Sequence, residues 1–162
     1  MRTADLVDDY DAELSFCHLP FLKIGKRRSF YGPIQTIKCH EDNVLFKAEL
    51  QTPGKGRVMV VDGGGSTRLA ILGDMLASFA VENGWAGLVI NGAVRDVAEL
   101  ETMDMGIRCL GTSPKKSVKR GEGVVGIPVS FGGTNFTPGD WLYADEDGVL
   151  VSQRNVLAGD GA

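Results

Sequence analysis

The amino-acid sequence predicts a mixed α/β domain with a parallel βαβαβ unit at its centre. Between residues 57 and 110, short aliphatic runs alternate with stretches that have the apolar spacing of helices. On either side of this region the sequence contains only short strand-like runs separated by turn residues. Because strands that alternate with helices form parallel sheets through right-handed crossovers, we expect a parallel centre and a β-rich layer built by the two ends of the chain.

Each element follows from a local pattern. "RVMVV" and "GLVI" are β-branched runs typical of strands, and the apolar residues from Met75 to Ala80 have helical spacing before Asn83-Gly84. In the order strand, helix, strand, helix, strand, the predicted central elements cover residues 57–61, 74–83, 87–90, 97–105 and 107–110. The predicted outer strands cover residues 32–39, 126–131, 140–144 and 148–152. The last two are joined by "DEDG", which is a hairpin signal.

The composition indicates one globular domain that spans residues 1–162. Hydrophobic residues make up 43% of the chain and charged residues 23%, and no apolar run approaches the ~18 residues of a membrane span. The acidic N-terminus lacks the apolar core of a secretory signal, and the three cysteines form no CxxC motif. We therefore expect a cytoplasmic protein with no membrane partner.

The charge pattern argues against direct binding of nucleic acid. The formal net charge is −4, whereas affinity for nucleic acid comes from clustered lysine and arginine. Two basic runs are present, "KIGKRRSF" (23–30) and "SPKKSVKR" (113–120), and we interpret both as solvated loops because charge runs usually mark solvated surface.

Several familiar motifs occur in the wrong context. "GEGVVG" (121–126) satisfies GxGxxG but leads into a predicted strand, whereas a dinucleotide site requires a helix there. "DGGGS" (62–66) follows a strand but lacks the Lys-Ser/Thr ending of a phosphate loop, which leaves nucleotide binding only as an alternative. His18 and His40 belong to no zinc pattern, "DEDG" lacks the other ligands of a calcium loop, and no GxSxG elbow is present.

Two aspartates remain, each at the predicted start of a helix. Asp74 follows Gly73, and Asp96 follows Arg95. Taken singly, each is interpreted as a helix N-cap. Taken together they follow consecutive strands of one parallel sheet, and ligands of such sheets bind outside the carboxyl ends of the strands. One cavity would then hold the free amides of Met75 and Leu76, the Arg95 guanidinium and two carboxylates, which suits an anionic substrate and a hard cation such as Mg²⁺.

The stretch "VVDGGGSTRLAILGDMLASFAVENGWAGLVINGAVRD" resembles the family of the 4-hydroxy-4-methyl-2-oxoglutarate aldolases and the regulators of ribonuclease E activity A. The similarity runs from "TADLVDDY" (3–10) through "IKCHEDN" (37–43) to "FGGTNFTPGDWLYADEDGVLVS" (131–152). Catalytic members share an aspartate, twenty intervening residues and then Arg-Asp. Asp74 and Arg95-Asp96 have this spacing, residues 75–94 being the twenty.

The resemblance implies a swivelling β/β/α domain, a homotrimer with sites between subunits, and a divalent cation, Mg²⁺ with Mn²⁺ as the alternative. It implies aldol cleavage of a 4-hydroxy-4-methyl- or 4-carboxy-2-oxo acid to pyruvate, with oxaloacetate decarboxylation as a side activity. Asp96 would hold the metal, Arg95 would stabilise the enolate and Asp74 would orient a water on the metal that carries the proton. Residues 73–76 would hold the substrate through backbone amides. In the longer aldolases a neighbouring subunit adds an acidic residue from a C-terminal extension, and no residue here is assigned that role.

One alternative mechanism and two alternative functions compete with this prediction. A Schiff base is disfavoured because Lys115, Lys116 and Lys119 lie in a polar run where nothing suggests a desolvated amine. A demethylmenaquinone methyltransferase is disfavoured because "GEGVVG" has the wrong context. A non-enzymatic protein that binds and inhibits ribonuclease E stays open, and the Asp74 to Arg95-Asp96 spacing is the feature that favours an enzyme.

Overall fold

A mixed sheet of ten strands organises residues 1–159, the part of the chain that the computed structural model describes. The strands are β1 (Ser15–Phe16), β2 (Leu22–Ile24), β3 (Phe30–Lys38), β4 (Val58–Asp62), β5 (Ala70–Leu72), β6 (Gly87–Val94), β7 (Ile107–Thr112), β8 (Val124–Val125), β9 (Val129–Phe131), β10 (Thr134–Phe136), β11 (Trp141–Ala144) and β12 (Val149–Ser152). The α-helices are α1 (Thr3–Tyr10), α2 (Val44–Leu50), α3 (Asp74–Glu82) and α4 (Val97–Leu100). Strands β9 and β10 form a separate hairpin.

The sheet has a parallel half and an antiparallel half. Its order is β1-β12-β11-β3-β4-β6-β7-β2, with β5 beside β6 and β8 beside β3. Strands β3, β4, β6 and β7 are parallel neighbours, and β5 is also parallel to β6. Strands β11 and β12 form the predicted antiparallel hairpin, closed by Asp145, whose Oδ1 accepts the amides of Asp147 and Gly148. The prediction of a parallel centre flanked by antiparallel strands is confirmed.

Strand β3 belongs to both halves, which corrects its assignment to the outer layer alone. Its first part pairs antiparallel with β11, from Phe30 opposite Ala144 to Pro33 opposite Trp141. Its second part pairs parallel with β4, from Ile34 opposite Val58 to Lys38 opposite Asp62. The carboxyl end of β3 therefore lies at the same edge of the sheet as the ends of β4 and β6.

Three predicted bounds were wrong. The helix predicted over 97–105 ends at Leu100, where the amide and the hydroxyl of Thr102 both donate to the Glu99 carbonyl. The strand predicted over 87–90 continues to Val94, because β5 and β7 pair with its second half. The strand predicted over 126–131 covers only Val129–Phe131, since Pro128 has no amide to donate to a ladder.

The sheet separates two apolar layers, and β4 contributes to both. Met59 and Val61 point into a layer that packs against α2 and α3, whereas Val58 and Val60 point into a layer shared with β9 and β10. Successive side chains of a strand alternate between faces, so a strand buried on both faces is apolar throughout, as "VMVV" is. All three cysteines are free and buried. Among the described helices, none is both long and apolar enough to cross a bilayer.

Candidate active site

The predicted site residues lie at the carboxyl edge of the parallel strands. Gly73 directly follows β5 and precedes α3, and Arg95 and Asp96 directly follow β6 and precede α4. The Arg95 amide donates to the Leu72 carbonyl at 2.9 Å, which holds the two strand ends together. The two turns singled out from the sequence are thus neighbours in space.

The Asp96 carboxylate bridges the two turns. Its Oδ2 accepts a hydrogen bond from the Asp74 amide at 3.1 Å, and it makes no capping bond to its own helix. Asp96 has a left-handed backbone, with φ 60° and ψ 41°, which aspartate tolerates better than most residues. A Cβ atom added to Gly73 would lie 2.8 Å from Asp96 Oδ2, so only glycine leaves room for this approach.

Asp74 is the first residue of α3 and Gly73 is its N-cap, so the interpretation of Asp74 as a cap was wrong by one position. The Asp74 side chain is exposed and has no hydrogen-bond or ion-pair partner among residues 1–159. The Met75 and Leu76 amides, in the first turn of α3, donate no hydrogen bond within the described residues. The Leu76 side chain belongs to the core at 4% exposure, so only its backbone can contribute to a site.

Arg95 lies beside Asp96 in sequence but does not pair with it. Its Nη1 donates to the Pro114 carbonyl at 3.4 Å, and none of the ion pairs in the described structure includes Arg95, Asp74 or Asp96. Two adjacent turns therefore carry a guanidinium and two carboxylates that form no ion pair with one another, which leaves their charges available to a ligand.

The donor set fits a cation that takes few ligands from the protein. Within residues 1–159, no three histidine, cysteine, aspartate or glutamate side chains come together as a metal cluster. Asp96 Oδ1 accepts no hydrogen bond from these residues. Mg²⁺ is commonly held by one or two carboxylates and keeps waters and substrate oxygens as its other ligands, whereas Zn²⁺ requires three or four protein ligands. The residues present suit Mg²⁺ or a similar hard cation and not Zn²⁺.

A second group of charged residues follows β3 at the same edge. The Glu41 carboxylate accepts hydrogen bonds from Arg68 and from Ser66 Oγ, and these bonds, Arg68 first, lower the pKa of Glu41 to about 2. Asp62, at the end of β4, accepts the Asn91 Nδ2 and the Gly64 amide at 3.0 Å each. These carboxylates have side-chain partners within the fold, whereas the Asp96 carboxylate accepts only the Asp74 amide and the Asp74 carboxylate has no partner among residues 1–159.

The basic run 113–120, hereafter the basic segment, crosses this edge and is held by backbone bonds. The Ala70 amide donates to the Lys115 carbonyl, and the Ser117 amide donates to the Ala70 carbonyl. The segment ends at Asp42, whose Oδ2 accepts the amides of Arg120 and Glu122. The lysine side chains are exposed, which agrees with the prediction of a solvated surface. The backbone of the segment, however, is held in place across the strand ends by these hydrogen bonds.

Sequence reasoning missed the residues that follow β3. Asn43 is 8% exposed, its Nδ2 donates to the Ile71 carbonyl at 3.3 Å, and its Oδ1 accepts from Lys119 Nζ at 3.4 Å. The signal was present in "CHEDN" (39–43), a polar run directly after an apolar strand. Because the sequence predicts this strand only as part of the outer layer, it does not predict that the carboxyl end of β3 meets the site.

Two other features contain none of the predicted site residues. A groove of about 880 Å³ is lined by residues around β1, β10 and β12, and none of the predicted site residues lines it. "GEGVVG" contains the two-residue strand β8 and is followed by β9, with positive φ at all three glycines. The expectation that no helix follows this motif is confirmed, so the motif lacks the context of a dinucleotide site.

Relatives of this chain cover nearly its whole length. A protein of Alkalilimnicola ehrlichii named "Putative 4-hydroxy-4-methyl-2-oxoglutarate aldolase" is 49% identical over 155 residues, which are 96% of each chain. A protein of Ectopseudomonas mendocina with the same name is 51% identical over 152 residues, or 94% of each.

Solved structures show the same fold. A structure from Geobacillus kaustophilus HTA426, described as S-adenosylmethionine:2-dimethylmenaquinone methyltransferase, is 48% identical with a TM-score of 0.97 and covers 99% of this chain and 100% of that one. The RNA-processing inhibitor RraA from Thermus thermophilis is 44% identical with a TM-score of 0.92, over 95% of this chain and 93% of that one. The family model described as "RraA-like: Aldolase/RraA" matches residues 3–151. These similarities confirm both the predicted α/β fold and the resemblance seen in the sequence, and the chain belongs to the RraA-like family of Aldolase/RraA proteins.

Proposed function

We propose that this protein is a divalent-metal-dependent aldolase that cleaves a 4-hydroxy-2-oxo acid to pyruvate and a second 2-oxo acid. The observation that carries the proposal is the bond from the Asp74 amide to Asp96 Oδ2, which brings the two halves of the Asp74 to Arg95-Asp96 motif together. The names of the two relatives at about half identity support the same reaction. 4-Hydroxy-4-methyl-2-oxoglutarate and 4-carboxy-4-hydroxy-2-oxoadipate are the substrates to test first.

The start of α3 is suited to the carboxylate end of the substrate. The Met75 and Leu76 amides point from the first turn of a helix and have no acceptor within residues 1–159. The partial positive charge of a helix N-terminus favours an anion there, and Arg95 adds a full charge. These groups would bind the 2-oxo acid and orient it across the Gly73 turn.

Asp96 would hold the cation. The absence of a side chain at Gly73 leaves the room that the Asp96 carboxylate occupies. Mg²⁺ or Mn²⁺ bound there would act as a Lewis acid on the 2-oxo acid. The remaining ligands would come from water and substrate, because the described residues offer no third acidic or histidine side chain nearby.

The reaction places a negative charge on the keto oxygen. The C4 hydroxyl loses its proton, the C3–C4 bond breaks, C4 becomes the keto carbon of one product and C3 keeps the electrons as the pyruvate enolate. Protonation of C3 then gives pyruvate. The Arg95 guanidinium would stabilise the enolate oxygen, and this kind of fixed donor acts most strongly on charge that develops in the transition state. Loss of CO₂ from oxaloacetate leaves the same enolate, so the same residues would support that side activity.

Asp74 would assist proton transfer to and from the substrate through a water molecule. Its side chain is exposed at the helix start and has no partner in the described structure. A carboxylate is a weak base. Asp74 would therefore work best by orienting a water molecule that the bound cation makes more acidic.

One assay tests the proposal directly. Pyruvate release is measured from 4-hydroxy-4-methyl-2-oxoglutarate and from oxaloacetate, with Mg²⁺, with Mn²⁺ and with chelator. We expect turnover of both substrates that stops with chelator and returns with added metal. Turnover that persists after chelation would contradict metal dependence, and no turnover of either substrate would contradict the aldolase.

A second function is supported by a different observation. The Thermus thermophilis structure, described as an RNA-processing inhibitor, superimposes closely on this chain. Binding and inhibition of ribonuclease E is therefore the alternative, and one chain can carry both functions. Inhibition of ribonuclease E by the wild-type protein and equally by an Asp96→Ala variant would establish a binding function independent of the site.

The methyltransferase description of the Geobacillus kaustophilus structure is not extended to this chain. The GxGxxG sequence at residues 121–126 leads from β8 to β9 and not into a helix. It therefore lacks the helix N-terminus that such loops present to a cofactor phosphate.

A further inference from the structure

Lys119 is attached to the floor of the candidate site through one buried side chain. Its Nζ donates to Asn43 Oδ1 at 3.4 Å, and Asn43 Nδ2 donates to the Ile71 carbonyl at 3.3 Å. Ile71 lies in β5, two residues before Gly73, which is about 7 Å along an extended strand. Asn43 therefore positions an ammonium group near the turn that carries the reaction.

The backbone on both sides of Lys119 is fixed. The Val118 amide donates to the Glu41 carbonyl at 2.9 Å, and the Arg120 amide donates to Asp42 Oδ2 at 2.9 Å. Lys119 thus differs from an ordinary surface lysine, whose side chain and backbone both lose freedom when a ligand binds. A charge that is already held in place loses less entropy on binding.

The charge of Lys119 is not neutralised within the fold. None of the ion pairs found in residues 1–159 includes Lys119. Glu41 is bound by Arg68, and the Asp42 carboxylate is occupied by backbone amides. An ammonium has three donor hydrogens, and Asn43 accepts only one. Two donors and a positive charge therefore remain available at the edge of the site.

A buried hydroxyl accompanies this charge. Ser117, two residues earlier in the basic segment, is 5% exposed, and its Oγ has no hydrogen-bond partner among the described residues. Unpartnered buried polar atoms are uncommon in folded proteins. The basic segment thus contains a cation without an ion-pair partner and, two residues earlier, a buried hydroxyl that forms no hydrogen bond with the described residues.

We infer that Lys119 is a specificity-determining residue that binds the second carboxylate of the substrate, the one remote from the 2-oxo group. The inference rests on the proposed aldol cleavage. Arg95 and the α3 amides take the 2-oxo acid end, and Lys119 takes the far end of a diacid. Lys119 is held through Asn43 at Ile71, and the Gly73 turn follows two residues later, so a diacid bound at this turn would extend its far carboxylate toward Lys119. Dicarboxylic substrates are therefore preferred over monocarboxylic ones.

The experiment compares two substrates that differ in the remote carboxylate. The first is 4-hydroxy-4-methyl-2-oxoglutarate, and the second is 4-hydroxy-4-methyl-2-oxopentanoate, in which a methyl group replaces that carboxylate. For Lys119→Gln we expect kcat/KM to fall about tenfold or more for the diacid, the effect of one lost hydrogen bond to a charged group, and to stay unchanged for the monoacid. Exchange of the pyruvate methyl protons in D₂O, which needs only the 2-oxo acid end, should also stay unchanged.

Lys116→Gln is the matched control, because Lys116 is an exposed lysine of the same segment whose side chain forms no hydrogen bond or ion pair with the described residues. This variant should leave kcat/KM unchanged for both substrates. Equal losses for the two substrates in Lys119→Gln, no loss for either, or the same loss in Lys116→Gln would each overturn the role of Lys119. Wild-type protein that cleaves neither substrate would instead overturn the proposed function, so the two failures are distinguishable.

Discussion

Asp96 caps a helix to which it does not belong. It stands at the N-cap position of α4, yet its Oδ2 accepts the amide of Asp74, the first residue of α3, at 3.1 Å. The two aspartates of the motif are therefore connected by the amide of one and the carboxylate of the other, and the carboxylate of Asp74 stays free of protein partners in the described structure. Twenty residues of intervening sequence serve to return the chain to this contact.

Replacing Asp96 separates function from stability. In Asp96→Ala we expect metal-dependent pyruvate release to be abolished, because the proposed metal ligand is lost. Loss of one capping bond costs about 1 kcal/mol, or roughly 2–4 °C in Tm for a chain of this size. Steady-state assays and calorimetry measure both effects. Asp8→Ala, at an exposed aspartate of α1, is the control, and full activity in Asp96→Ala would remove Asp96 from the metal site.

A methyl group at position 73 tests the close approach of the two turns. In Gly73→Ala the added Cβ would lie 2.8 Å from Asp96 Oδ2, so the carboxylate must move. Because a side-chain end can move cheaply, we expect an almost unchanged Tm but a roughly ten- to hundredfold loss of kcat/KM from misplacement of the ligand. Gly148→Ala is the control, since a Cβ there meets nothing within 4 Å. Unchanged kinetics in Gly73→Ala would show that the Asp96 position is not critical.

Arg95 is expected to act mainly in the transition state. Negative charge on the keto oxygen grows as the C–C bond breaks, so Arg95→Ala should lower kcat by roughly 10²–10³, as removal of one oxyanion donor does. Arg95→Lys keeps the charge without the planar fork and should retain partial activity. Kinetics with oxaloacetate at saturating Mg²⁺ distinguish the alternatives. A pure rise in KM would make Arg95 a binding residue only.

Asp42 gives the basic segment a pH-dependent attachment. Burial alone would raise the pKa of Asp42, but hydrogen bonds from the amides of Val44, Glu122 and Arg120 outweigh it and lower that pKa. Because the folded-state pKa lies below the unfolded one, the stabilisation is present above the unfolded pKa of about 3.9 and is lost as pH falls through the folded value.

Asp42→Asn should therefore have a lower free energy of unfolding than wild type at pH 6, and the difference should shrink as the pH approaches 3. Denaturant unfolding at several pH values measures this. At pH 6, hydrogen exchange at the Arg120 and Glu122 amides should be faster in Asp42→Asn than in wild type, since both amides donate to Asp42 Oδ2. A pH-independent difference would assign the effect to packing instead of charge.

We predict a homotrimer, as the family resemblance implies, and the described residues provide no third acidic ligand that would complete the site within one subunit. Apolar side chains at the same edge, Val44, Met75, Val118 and Val124, are exposed and would be covered by a neighbouring subunit. Light scattering should give about 52 kDa, three times the 17.3 kDa of one chain. A fully active monomer at assay concentration contradicts the prediction.

The sequence contained enough information for the parallel unit and the motif, but not for β3 or the basic segment. The periodic runs around 57–61 and 87–90 are strong local signals, and the glycine turns at Gly73 and Asn83-Gly84 mark their boundaries. Strand β4 pairs with β6 on one side and with β3 on the other. The pairing with β3 depends on contacts between residues that are distant in sequence, and no local pattern indicates such contacts. The same holds for Lys119, whose contact with Asn43 spans 76 positions.

The dual pairing of β3 also constrains how the chain folds during synthesis. Its second part can pair with β4 once residue 62 has left the ribosome, but the partner of its first part, Trp141–Ala144, comes about eighty residues later. At 5–20 residues per second, this leaves the edge from Phe30 to Pro33 without a ladder for roughly 4–16 s. Nascent chains can aggregate through unpaired apolar strand edges. Pro33 has no amide hydrogen and so removes one hydrogen-bond donor from the edge of β3. Truncations that end before β11 should therefore yield aggregates and not a smaller folded sheet.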